Sequence, residues 1–76
     1  MKNTIKIERA RLDISQEELS KRVDVTRQTI HAIERRKKTP SVELALKIAK
    51  VFNQSVEAIF QLENRNKKRL KRRNKK

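Results

Sequence analysis

The stretch "QEELSKRVDVTRQTIHAIER", Gln16 to Arg35, decides how the chain folds. Ser15 stands just before it and Glu18 follows three residues later, the spacing of a capping box at a helix start. Leu19 and Val23 then repeat at i, i+4, which predicts a helix over about 16–23. Asp24 belongs to the few non-glycine types that visit left-handed backbone readily. Two residues on, Thr26 is a second start signal, and Ile30 and Ile33 at i, i+3 predict a helix over about 27–35. Two short helices therefore flank the turn Asp24, Val25, Thr26. Leu19, Val25, Ile30 and Ile33 supply an apolar wedge between them, and Ser20 is small where the second helix must cross closely.

The same punctuation recurs outward. Asp13 precedes Ser15, and Asn53 precedes Ser55, each by two residues. "TPS" at 39–41 joins a proline to hydroxyl caps and opens another helix. Five helices are expected, over about 3–12, 16–23, 27–35, 41–52 and 56–62. Leu44, Ile48 and Val51 form a stripe widened by Ala45 and Phe52, and Ile59 lies three after Val56 beside Phe60. Each helix has an apolar face, so all five can share one core. No alternation exceeds "IKI" at 5–7, so the expected class is all-α.

With 76 residues, the chain supports one small domain. It has no cysteine and one histidine, which excludes disulfides and multi-His or cysteine metal sites. No cofactor is expected. The net charge is +13, but residues 64–76, "NRNKKRLKRRNKK", hold nine cations and no acid. Without them thirteen cations face nine acids, leaving a body of +4. The expected organisation is a domain over 1–63 and a disordered basic tail over 64–76, with a polyanionic partner. No apolar run nears the ~18 residues that span a bilayer, and "MKNTIKIERAR" is no secretory signal. The reading is a cytoplasmic protein. There is no glycine-rich phosphate loop and the acids are scattered, so no enzyme is expected.

The segments "ISQEELSKRVDVTRQTIHAIE" and "PSVELALKIAKVFNQSVEAIF" resemble the phage-repressor-type helix-turn-helix regulators, the Cro/cI-like or XRE family. The resemblance covers roughly residues 4–62. Asp13, Asp24 and Asn53 stand where that family commonly has glycine, and Ser20 where alanine is usual. It implies a lambda-repressor-like, five-helix domain whose third helix enters the DNA major groove. The family's base-reading positions fall on Arg27, Gln28 and Ala32, with Thr29 and His31 flanking them. Arginine pairs bidentately with guanine, glutamine with adenine, and alanine packs on a thymine methyl. At 100° per residue, Ile30 and Ile33 set the buried direction, so Gln28, His31, Ala32 and Arg35 should point outward. Phosphate contacts are expected from Ser15 and Gln16 at the second helix's start, and from Arg35, Arg36, Lys37 and Lys38. The resemblance also implies a structural ion pair between Arg9 and Glu34. A homodimer is expected through Val56, Ile59 and Leu62, with Phe60 closing the core. Two rival readings share these features: an antitoxin-type regulator that also binds a partner protein, and a charge-driven nucleic-acid binder that reads no sequence.

Overall fold

Hydroxyl caps start four of the five helices in the computed structural model, which describes residues 1–62. The expected tail, 64–76, lies outside the described residues. In chain order the elements are β1 (Lys2–Asn3), α1 (Ile5–Leu12), α2 (Gln16–Arg22), α3 (Arg27–Glu34), α4 (Val42–Phe52), α5 (Val56–Ile59) and β2 (Phe60–Gln61). Ser15, Thr26, Ser41 and Ser55 accept hydrogen bonds from the backbone N–H groups of Glu18, Thr29, Leu44 and Ala58 at 3.0, 3.2, 3.1 and 3.1 Å. Each satisfies a donor that its helix leaves open. The reciprocal half of the capping box does not form. The Glu18 carboxylate turns instead to Arg22, accepting from its Nε at 3.1 Å.

Helix ends use left-handed residues although the chain has no glycine. Asp13, Asp24 and Asn53 take φ values of 59°, 61° and 55°. Arg36 joins them at 62°, a helix stop that its sequence does not announce. All four close the same double-bonded turn. After α3, for example, Arg36 N–H donates to the Ile33 carbonyl at 3.0 Å and Lys37 N–H to that of Ala32 at 2.8 Å. This is the Schellman pattern, which satisfies carbonyls the helix end leaves open.

Two expected boundaries move. Helix α1 starts at Ile5 rather than near residue 3, and α5 ends at Ile59 rather than 62. The reason is a two-stranded antiparallel sheet, with Lys2 opposite Gln61 and Asn3 opposite Phe60. Phe60 leaves the helical region, at φ −116° and ψ 132°, and Thr4 N–H donates to the Ile59 carbonyl at 2.9 Å. Pairing residues 2–3 with residues 60–61 gives their backbone groups partners that one more helical turn would leave to water.

The core is built from Ile5, Leu19, Ile30, Ile33, Ile48 and Ile59, packed with Val23, Leu44, Phe52 and Phe60. Ser20 is buried as its small size requires, its hydroxyl donating to the Glu17 carbonyl at 2.7 Å. Helix α1 departs from the expected pattern of one apolar face per helix. Of its apolar side chains, Ile5 is in the core while Ile7 and Leu12 are exposed. Polar groups hold it instead. Asn3 Oδ1 accepts from Ile5 N–H at 3.2 Å, capping α1, while Asn3 Nδ2 donates to the Ile33 carbonyl at 2.9 Å. Arg9 Nε and Nη2 donate to Glu34 Oε2 and Oε1 at 2.7 and 3.2 Å, and Nη1 donates to the Ile14 carbonyl at 3.1 Å. The Arg9 and Glu34 side chains are only 16% and 7% exposed.

Two substitution experiments follow from this docking. Asn3→Ala removes a cap and a tether to α3, and should cost about 1–2 kcal/mol in urea unfolding. Arg9→Met or Glu34→Leu alone should cost about 2–4 kcal/mol, because the remaining partner keeps its burial without its bonds. The double replacement Arg9→Met with Glu34→Leu should recover most of that loss in the same assay.

Candidate nucleic-acid interface

Helix α3 buries Ile30 and Ile33 and turns Arg27, Gln28 and His31 to solvent, with Arg35 exposed at its C-cap. Thr29 and Ala32 are half-buried. The Thr29 hydroxyl lies 3.0 Å from that of Thr26 and so belongs partly to the helix cap. Ala32 offers a methyl group at the edge of the exposed face. The five expected base readers therefore separate into three long, exposed polar side chains and two short ones set deeper.

Past the end of α3, Arg35, Arg36, Lys37 and Lys38 are all exposed. The left-handed turn at Arg36 folds this run back immediately after the helix rather than continuing its axis. Among the described residues no carboxylate pairs with any of the four. The acids of neighbouring α2 are engaged within their own helix, Glu17 with Lys21 at 3.9 Å and Glu18 with Arg22 at 3.1 Å. The nearest acid in sequence, Glu34, is nearly buried and paired with Arg9, so among the described residues no carboxylate is left to neutralise this run, the condition under which a polyanion is attracted.

At the base of the exposed face lies a cleft of about 350 Å³, lined by Lys6, Arg9, Gln16, His31, Glu34 and Arg35. Gln16 sits across it, half-buried. Its Nε2 donates to Glu34 Oε1 at 3.1 Å and lies 3.3 Å from His31 Nδ1. Its Oε1 accepts from Arg27 Nη1 at 3.4 Å. Gln16, expected beside phosphate, has its side chain bonded to these neighbouring residues. For a phosphate it leaves the backbone N–H at the start of α2. Ser15, the cap of α2, is exposed next to it. The hub role of Gln16 was not legible, because Arg9, Gln16, Arg27, His31 and Glu34 sit on three different helices.

A second surface feature is apolar. Val42, Leu46, Val56, Phe60 and Leu62, with Met1, Pro40, Ala45 and one acid, Glu57, line a groove of about 500 Å³. Val42, Leu46 and Leu62 are 78%, 56% and 78% exposed. Of the residues expected at a dimer interface, Val56 and Leu62 line this groove. Ile59 does not: it is 0% exposed, held in the core, and has no surface to offer a partner. Val42 and Leu46 were missed, although their i, i+4 spacing off the Leu44–Ile48–Val51 stripe was a readable signal.

Among the described residues no helix is long and apolar enough to cross a membrane. A sequence profile of the helix-turn-helix family matches residues 5–59, spanning α1 to α5. The chain is 52% identical over 66 residues to an uncharacterized HTH-type transcriptional regulator of Bacillus subtilis, covering 87% of this chain and 100% of that protein. It is also 52% identical over 60 residues to such a regulator of Archaeoglobus fulgidus, covering 79% and 84%. A third, from Methanocaldococcus jannaschii, is 52% identical over 60 residues, covering 79% and 91%. With the helix pair α2–α3 in place and these matches running through the whole helical domain, the chain belongs to the XRE-type helix-turn-helix family of DNA-binding transcriptional regulators.

Proposed function

We propose that the protein is a sequence-specific regulator of transcription that inserts α3 into the major groove of double-stranded DNA and acts as a repressor. The observation that carries this reading is the layout of α3: Arg27, Gln28 and His31 exposed along one face, followed at once by four exposed cations. Arg27 and Gln28 occupy the helix's first turn, where side chains reach base edges in this motif. Each supports a bidentate pair, with guanine and adenine respectively. Thr29 and Ala32 set the floor against which a thymine methyl packs. Arg35 to Lys38 grip backbone phosphate beyond the groove edge, and Ser15 with the Gln16 N–H does so at the start of α2. The tail 64–76 adds sequence-independent attraction. In this reading the domain represses by occupying a promoter. The protein works in the cytoplasm, on the nucleoid when bound.

Selection of duplexes from a random pool tests this. One base sequence should be enriched, and Arg27→Ala with Gln28→Ala should cost about 2–6 kcal/mol on it while leaving random DNA nearly unaffected. Deleting 64–76 should flatten the salt dependence and preserve the preferred sequence. Equal affinity for every duplex would leave only the charge-driven alternative.

Two copies are proposed to bind together, as half-sites about one turn, ~34 Å, apart require in this class. The apolar groove supports this. Its exposed Val42, Leu46 and Leu62 project beside Val56, and an isologous pair of such faces would remove them all from water. Sedimentation should show a dimer for the full chain, and Leu46→Glu should shift it to monomer while leaving the helical signal intact. A monomer in both cases would remove the groove from this role.

A further inference from the structure

The amide of Gln16 has both ends fixed by groups of one polarity. Glu34, ion-paired with Arg9, is a carboxylate that accepts only, so the amide nitrogen must face it, as it does at 3.1 Å. Arg27 is a guanidinium that donates only, so the amide oxygen must face it, as it does at 3.4 Å. The orientation of this amide is therefore dictated twice, from opposite sides.

One amide hydrogen is used on Glu34. The other is left for His31, whose Nδ1 lies 3.3 Å from the same nitrogen. A hydrogen bond there needs a bare Nδ1, and a neutral imidazole with a bare Nδ1 carries its proton on Nε2. His31 is exposed on the reading face of α3, so that proton is offered outward.

We infer that Gln16 is a positioning residue: held by Glu34, it fixes His31 as a hydrogen-bond donor toward DNA and so makes His31 discriminate among bases. The inference rests on the major-groove reading of α3 and extends it to what one position prefers. In the major groove guanine, adenine and thymine each present an acceptor, at N7 and O6, at N7 and at O4, while cytosine presents the N4 amino donor. A donor-only His31 accepts any of the first three and opposes cytosine. The Arg9–Glu34 pair thereby sets the polarity of a reader through Gln16.

The chain has one histidine, so its imidazole nitrogens are observed without ambiguity. The experiment is a long-range proton–nitrogen correlation spectrum of the nitrogen-15-labelled full chain, recorded with the imidazole in its neutral form. Wild type should show one tautomer, with Nε2 protonated and Nδ1 bare. In Gln16→Met, which keeps length and loses polarity, the two nitrogen resonances should move toward each other as the tautomers mix. A wild-type spectrum with Nδ1 protonated, or one unchanged by Gln16→Met and Gln16→Ala, overturns the inference. This readout needs no DNA, so its failure is distinct from failure of the DNA-binding reading. On the selected duplex, cytosine at the base facing His31 should weaken wild-type binding about tenfold, and Gln16→Met should cut that penalty below about threefold with the Gln28 preference kept. A wild type indifferent to cytosine there overturns the donor role while the rest of the groove reading stands.

Discussion

The Arg9–Glu34 ion pair is the constraint on which the arrangement of this domain depends. Helix α1 brings one core side chain, Ile5, and exposes Ile7 and Leu12, so apolar burial alone gives it little reason to sit in one orientation. A guanidinium fork against a nearly buried carboxylate supplies direction that a greasy contact does not. Both carboxylate oxygens of Glu34 are occupied, one by Arg9 Nε and the other by Arg9 Nη2 and Gln16 Nε2. The desolvation of Glu34 is thereby compensated, which is the condition for a charge to sit at 7% exposure. From that one carboxylate, contacts run to α1, to α2 through Gln16, and to the reading face of α3.

Backbone conformation shows a different economy. Four helices end on left-handed residues in a chain without glycine, and each such residue costs roughly 1 kcal/mol against a glycine in the same place. Asp13, Asp24 and Asn53 reduce that cost, being types that tolerate the region. Arg36 does not, and it sits in the run of exposed cations after α3. A glycine there would relax the turn and delete a positive charge from this edge. Hydroxyl caps at four helix starts, each worth about 1 kcal/mol, offset part of the expense in a domain too small to waste stability.

The surface divides by chemistry. The α3 face carries long polar side chains and leads into exposed cations that pair with no carboxylate among the described residues, and the α4–α5 groove carries exposed aliphatics with Met1 and Phe60. The terminal sheet shapes the second of these. By drawing Phe60 and Gln61 into extended pairing with Lys2 and Asn3, it places Met1 and Leu62 at the groove's margin. A continued α5 would have sent Leu62 along the helix instead.

What the sequence determined by itself is local. Hydroxyl caps, left-handed stops and i, i+3 or i, i+4 apolar spacing act within a few residues, so four helix starts, three of four stops and most of the core were legible. The helix pair around Asp24 was legible for the same reason. The Arg9–Glu34 pair was not readable from spacing and came only through family resemblance, because its partners are 25 positions apart. The tertiary structure alone decided the rest. It turned Asn3, Phe60 and Gln61 from helix to strand, withdrew Ile59 into the core, exposed Val42 and Leu46, and set the Gln16 side chain at the centre of a hydrogen-bond network. Each of these depends on which groups meet across the fold, and no local pattern encodes the unmet hydrogen bonds and apolar faces that such meetings resolve.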